Sequence, residues 1–303
     1  MKSKKKVHIF PILLLLLAAV AAGVCIYFYP KWKAAGVLQE SLTSGHFTYE
    51  LEIRLDRDAM DAKQEETLEN LSKLTGFGKE ALFQFTIRGS VWEDKIHALF
   101  YPKDVERPLI ELYLSSDMSV INETLPFNTI RENLVEQHKL LDHIMPAQLE
   151  AVYMTLEQAE QIFDLDLSGI RELELLRSDK ELSRVKCFLL LAAMKGGSSE
   201  EGSFYELSAE GADLKVELRD AVPVLCFDVQ EPGTALQQAE EYLSRLNLEM
   251  PGWQAAMLES ISGTVMPGQG EEIVLPDKLM DQKKADLLVE IRDLIRKIGG
   301  FFD

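Results

Sequence analysis

Residues 47–55 read Phe47-Thr48-Tyr49-Glu50-Leu51-Glu52-Ile53-Arg54-Leu55, with apolar and polar side chains alternating over nine positions. That period of two marks a strand with one dry face and one wet face. A strand so built belongs to an antiparallel sheet covered on one side only.

The alternation resumes downstream. Phe83-Gln84-Phe85-Thr86-Ile87-Arg88 reads as a strand and residues 95–101 as its hairpin partner. Ile110-Glu111-Leu112-Tyr113-Leu114 and residues 118–122 follow. Glu93-Asp94, then Pro102 and Pro108, then Ser115-Ser116-Asp117 supply the turns between them. Short strands at such close spacing predict a meander. Later strands are expected over 182–194, 204–208, 212–219 and 222–229, with a short one at 273–275. Pro223 places the 222–229 strand at a sheet edge, or at its own start. Gly196 to Gly202 reads as a flexible turn.

Helices are expected over 34–43, with Gly45 as stop, and over 63–74. Another is capped by Asn128 and ends before Pro146. One starts at Thr155, 169–177 leans to helix, and 234–246 and 277–298 close the chain. The expected class is therefore α+β: a curved, mainly antiparallel sheet, a half-barrel, packed by helices and preceded by a transmembrane helix.

That last expectation rests on residues 7–29, which carry no charge and follow Lys2, Lys4, Lys5 and Lys6. At ~1.5 Å per residue the run would reach roughly 34 Å, enough for a hydrocarbon core of about 30 Å. Val7, Leu13, Leu17, Val24 and Phe28 would line this anchor, Pro30 would stop it, and Trp32 would sit at the outer interface. Membrane lipid would be its partner through this helix. The lysine bias places residues 1–6 in the cytoplasm, followed by the anchor at 7–29, a juxtamembrane helix at 30–45 and an extracytoplasmic domain at 46–303. Two other readings compete. A cleaved signal peptide fits Ala19-Val20-Ala21, but the apolar run continues beyond any such cut. A lipoprotein fits Cys25, although the residue before it is Val24.

All 50 acidic residues lie beyond residue 33, against 26 of the 32 basic ones, so that part carries a net −24. Such a field repels phosphate backbones, which argues against nucleic acid as a partner. An envelope protein or a lipid ligand remains open. The hydrophobic fraction, 47%, is that of a chain able to build a core. Cys187 and Cys226 allow one bridge or serve as two small buried hydrophobes.

No nucleophile elbow, phosphate loop, HExxH or dinucleotide fingerprint occurs, so neither an enzyme nor a cofactor is expected. His138 and His143 sit five apart, roughly 500° around a helix axis, and do not face one metal; Asp142 can pair with His138. Asn70-Leu71-Ser72 and Asn122-Glu123-Thr124 match the short glycosylation pattern. Residues 250–270 are rich in Met, Gly and Pro and read as irregular. Trp253, Met257, Leu258 and Met266 within them are candidates to line an apolar site, or core filling.

In its order of elements the chain resembles the curved half-barrel of LolA-like lipoprotein carriers and their Gram-positive surface relatives. The shared order is a short helix into strand 47–55, a meander over 83–122, helices, then strands returning to a sheet. Tyr153-Met154-Thr155-Leu156-Glu157-Gln158 is similar to a helix start in uncharacterised Gram-positive membrane-anchored proteins of that type. The resemblance implies a concave side able to hold a lipid. Two functions follow as expectations: a tethered binding or interaction module of the cell envelope, and a lipid or apolar-ligand half-barrel.

Overall fold

The computed structural model describes residues 27–143, 150–163, 183–200, 202–209, 211–220, 222–230, 232 and 258–299. The alternating stretch forms β1 (His46–Leu55). It pairs antiparallel along its length with β2 (Gln84–Trp92) on one side and β11 (Leu258–Pro267) on the other. From β2 the meander runs through β3 (Lys95–Pro102), β4 (Ile110–Leu114) and β5 (Ser119–Asn122) to β6 (Tyr153–Thr155). From β11 the sheet continues through β10 (Val222–Val229), β9 (Ala212–Arg219), β8 (Gly202–Ala209) and β7 (Lys195–Ser199). The result is one eleven-stranded antiparallel sheet with β1 and β11 near its middle, an arrangement consistent with a half-barrel.

Residues directly opposite share a face, and neighbours along a strand alternate. The register therefore sorts every strand position. Phe47, Tyr49, Leu51 and Ile53 share a face with Ile87, Ala98, Val216, Leu225, Phe227 and Val265. No charged residue falls on that face of β1, β2, β3, β9, β10 or β11. Glu50, Glu52, Arg54, Arg88 and Asp228 stand exposed on the other.

Helices pack on the apolar face at both flanks. At one flank, α1 (residues 27–43) and α6 (Arg184–Ala193) bury Ala34, Ala35, Leu38, Cys187 and Leu191 against Tyr205 and Val216. At the other, Leu156 of α5 (Leu156–Phe163) packs on Ala98, Leu112 and Leu114. Helix α5 also packs on Met280 and on Ala285 of α7 (Gln282–Gly299). Three more helices fill the crossover from β1 to β2 and the connection after β5. They are α2 (Ala62–Thr75), α3 (Lys79–Phe83) and α4 (Thr124–Gln137), the last followed by a 3₁₀ turn at Lys139–His143. Helix α2 starts with a reciprocal capping box between Asp61 and Gln64 and ends at Gly76, whose φ is 75°. The Asn133 amide of α4 donates to the Lys73 and Leu74 carbonyls at that end, 3.0 and 2.9 Å away.

The N-terminal expectation is corrected. Among the described residues no helix is long and apolar enough to cross a membrane. Helix α1 runs through Pro30 instead of stopping there. Phe28 and Trp32, expected in or beside an anchor, pack on Phe188 of α6 with ring centroids 5.8 and 5.5 Å apart. Lys31 is only 3% exposed, and its ammonium donates to the Met194 and Ala192 carbonyls at 2.7 and 3.2 Å. A cation there satisfies the carbonyl end of α6 and complements its dipole. Among the described residues the expected spanning helix, the lipid partner it implied and the single-pass placement therefore find no support, and residues 27–43 form a helix docked on the sheet. Val7, Leu13, Leu17 and Val24 lie outside the described residues.

Other differences have local causes. Residues 184–193, expected as a strand, form α6, because Ser183 caps the first turn and Cys187 and Leu191 fall four apart on its buried side. The expected turn at Gly196 is part of β7, where Phe204 lies across Gly197: a Cβ there would sit 2.4 Å from the ring. The irregular 250–270 stretch contains β11. Pro223 is the second residue of β10, at the start of its strand as one of the two readings had it and not at a sheet edge; the ladder to β11 begins only at Leu225. Residues 273–275 are not a strand, and α4 starts at Thr124 instead of Asn128. Helices expected over 169–177 and 234–246 lie outside the described residues. Cys187 and Cys226 are both free.

Two glycines admit the side chains of β1. Tyr49 lies over Gly89 of β2, where a Cβ would come within 2.0 Å of the His97 carbonyl oxygen and 2.5 Å of the Tyr49 hydroxyl. Leu51 lies over Gly263 of β11, where a Cβ would fall 2.3 Å from the Glu50 carbonyl oxygen and 2.9 Å from Leu51 Cδ2. Glycine within a strand permits such close approach and sharp local bending. Gly89→Ala is expected to cost about 2–3 kcal/mol of unfolding free energy in urea denaturation, the scale of overpacking in a dense interior. A loss below about 0.5 kcal/mol, as for an uncrowded surface change, would contradict this packing.

Candidate functional site

The polar face carries one cluster that sequence reasoning missed. Alternation along β4 sets Glu111 and Tyr113 on that face, and the register brings His97 opposite Tyr113 and Tyr153 opposite Asn122. Four strands thus supply donors to a single carboxylate. His97 Nε2 lies 3.0 Å from Glu111 Oε1, to which the Tyr113 hydroxyl also donates at 3.2 Å. Asn122 Nδ2 donates to Oε2 at 2.7 Å, and the Tyr153 hydroxyl joins it at 3.0 Å. A carboxylate only accepts, so His97 carries a proton on Nε2. The His97 and Tyr113 rings stack with centroids 4.3 Å apart.

Burial alone would raise the Glu111 pKa. The hydrogen bonds from His97, Asn122 and Tyr153 outweigh it and hold the carboxyl at about 2. Burial, then the Glu111 charge, pushes the Tyr153 phenol up to about 12 and raises Tyr113 as well. A carboxylate so placed is poorly matched to taking a proton near neutrality. Its four donors make it a clamp. The clamp holds β6, only three residues long, whose outer backbone bonds the segment entering α7: Tyr153 N–H to Lys278 O at 3.1 Å and Met280 N–H to Tyr153 O at 2.7 Å. Thr155 and Gln158 form a reciprocal box at the start of α5, with bonds of 3.1 and 3.0 Å. Glu111 therefore fixes one of the two helix layers that flank the apolar face.

Between those layers lies the second feature. Leu51 and Ile53 of β1, Ile261 and Val265 of β11, and Phe227 and Val229 of β10 share the apolar face and are half-buried. Among the described residues they belong to neither flanking core cluster. Gly263 lies in the middle of the strip, under Leu51. The hydroxyl of Tyr49, beside it, donates to the His97 carbonyl at 3.0 Å, and burial raises its pKa. The strip therefore presents hydrocarbon, with its nearest hydroxyl already engaged.

The residues expected to line an apolar site divide. Leu258 opens β11 opposite Leu55 and shares the apolar face, whereas Met266 pairs with Thr48 on the polar face and is 37% exposed. Trp253 and Met257 lie outside the described residues. Asp142 bonds Arg131 at 2.6 Å, in place of the expected pairing with His138. Asn122 is buried in the Glu111 cluster, which removes its triplet as an accessible glycosylation acceptor. Among the described residues no group of three His, Cys, Asp or Glu is placed to hold a metal. The sequence signal for the clamp was the Glu111-Leu112-Tyr113 alternation. That signal fixes a shared face but cannot name strands β3, β5 and β6 as neighbours.

Compared with family models, curated proteins and solved structures, the chain matches none.

The Glu111 clamp sets a pH dependence. Its pKa is lower folded than unfolded, so its contribution to stability is complete above the ordinary value of 4.5 and is lost as pH falls toward about 2. Glu111→Gln should cost about 2–3 kcal/mol at neutral pH, the scale of charge-assisted hydrogen bonds. The gap from the native protein should narrow between pH 5 and pH 2 in denaturant titrations. Parallel profiles over that range would contradict the clamp.

Proposed function

We propose that the protein is a binding module that holds an uncharged apolar ligand, of the kind of a lipid acyl chain, along the strip formed by β1, β11 and β10. The observation that carries this reading is the half-buried hydrocarbon strip, free of charge, lying between two packed helix layers. The half-barrel order of elements described above supports the same reading. A straight hydrocarbon chain needs no hydrogen-bonding partner, and the strip offers none. If a bound chain removes roughly 300 Å² of apolar surface from water, the gain is about 7 kcal/mol.

The test uses the delipidated full chain with the fluorescent probe Nile red, displaced by hexadecanol. Val265→Asp, which puts a carboxylate on the strip, should abolish saturable binding. Thr264→Asp, one residue away on the opposite face, should leave it intact. No saturable binding by the native chain, or equal binding by both variants, would overturn the reading.

A further inference from the structure

The strip has unequal borders. Toward β9 it merges with Leu214, Leu218 and Leu225, which pack on the α1–α6 cluster. Toward β2 it meets Tyr49, which is held at both ends. Its ring rests on Gly89, where a Cβ would lie 2.6 Å from Tyr49 Cζ, and its hydroxyl reaches across β2 to the His97 carbonyl of β3, 3.0 Å away. Beyond Tyr49 the apolar face is already filled, because Ile87, Ile96, Phe100 and Tyr49 itself pack on Ala98, Leu112, Leu114 and Leu156. Leu51, two residues along β1, has no such tether and leans the other way, over Gly263.

We propose that Tyr49 is the fixed lateral boundary of the binding strip, and that its tether to the His97 carbonyl limits the width of hydrocarbon the strip accepts. This inference rests on the ligand-binding reading above. A single straight chain follows β1 and β11 without disturbing the ring. A chain with methyl branches spreads toward β2 and must displace a ring tied at its far end. Tyr49 is thus a specificity residue, and the width it sets is independent of chain length.

The experiment compares Nile red displacement by hexadecanol and by the methyl-branched alcohol phytol, on the native full chain and on Tyr49→Phe and Tyr49→Leu. The native chain should prefer the straight alcohol by about tenfold, the scale of one misplaced methyl group in an apolar pocket. Tyr49→Phe keeps the ring and removes only the tether, so the preference should fall part of the way. Tyr49→Leu should nearly erase it. A second readout needs no variant: on titrating the native chain with hexadecanol, the Tyr49 ring resonances should shift before those of Tyr205, which is buried under α1 and α6. If the native chain displaces no probe, the ligand-binding reading itself fails. If it binds but selectivity is the same in every folded variant, or the Tyr49 resonances stay still, the boundary assignment alone is overturned.

Discussion

The pairing of β1 with both β2 and β11 is the constraint on which the rest depends. Because side chains alternate strictly along a strand, a one-residue slip of β1 would move Tyr49, Leu51 and Ile53 to the charged face and Glu50, Glu52 and Arg54 to the dry one. Each slipped carboxylate or guanidinium would then be desolvated without a partner, a cost far larger than any ladder bond returns. Gly89 and Gly263 reinforce the register, since only these positions leave room for the Tyr49 ring and for Leu51. The register of β1 then propagates through both halves of the sheet and decides which face receives helices.

Polar contacts tie the helices of each layer to one another and brace the strands beneath one of them. Lys31 ties α1 to the carbonyl end of α6, and Arg184 returns the contact by donating to the Trp32 carbonyl at 3.2 and 3.0 Å. At the opposite flank Glu111 binds strands β3 to β6 together, and Gln158 reaches the Met280 carbonyl at 3.3 Å. Charged groups used in this way are committed to structure. The half-buried apolar strip between the layers is the part of the dry face that these attachments leave outside both clusters.

Much of the sheet was legible because alternation is local information. The strands around Leu51, Ile87, Leu112 and Leu214 could be placed from their own residues, and so could the Thr155 helix start. What failed was whatever depended on distant partners. The run from Arg184 to Ala193 is dense enough in apolar residues to read as a buried strand, yet its Ser183 cap and its burial under α1 make it a helix. Glycine hid β7 and β11, because Gly197 and Gly263 are justified only by Phe204 and Leu51 from neighbouring strands. Phe28, Lys31 and Trp32 read as the border of an anchor, and only the contacts with Phe188 and Met194 reveal docking. The Glu111 clamp was invisible for the same reason, since its donors are scattered from His97 to Tyr153.

The most direct measurement is an anomalous-difference map from crystals of the full chain soaked with 16-bromohexadecanol. Bromine density on the apolar face along Ile53, Ile261 and Phe227 is the predicted result. Density confined to the polar face, or to the exposed side of α1 and α6, would contradict the account.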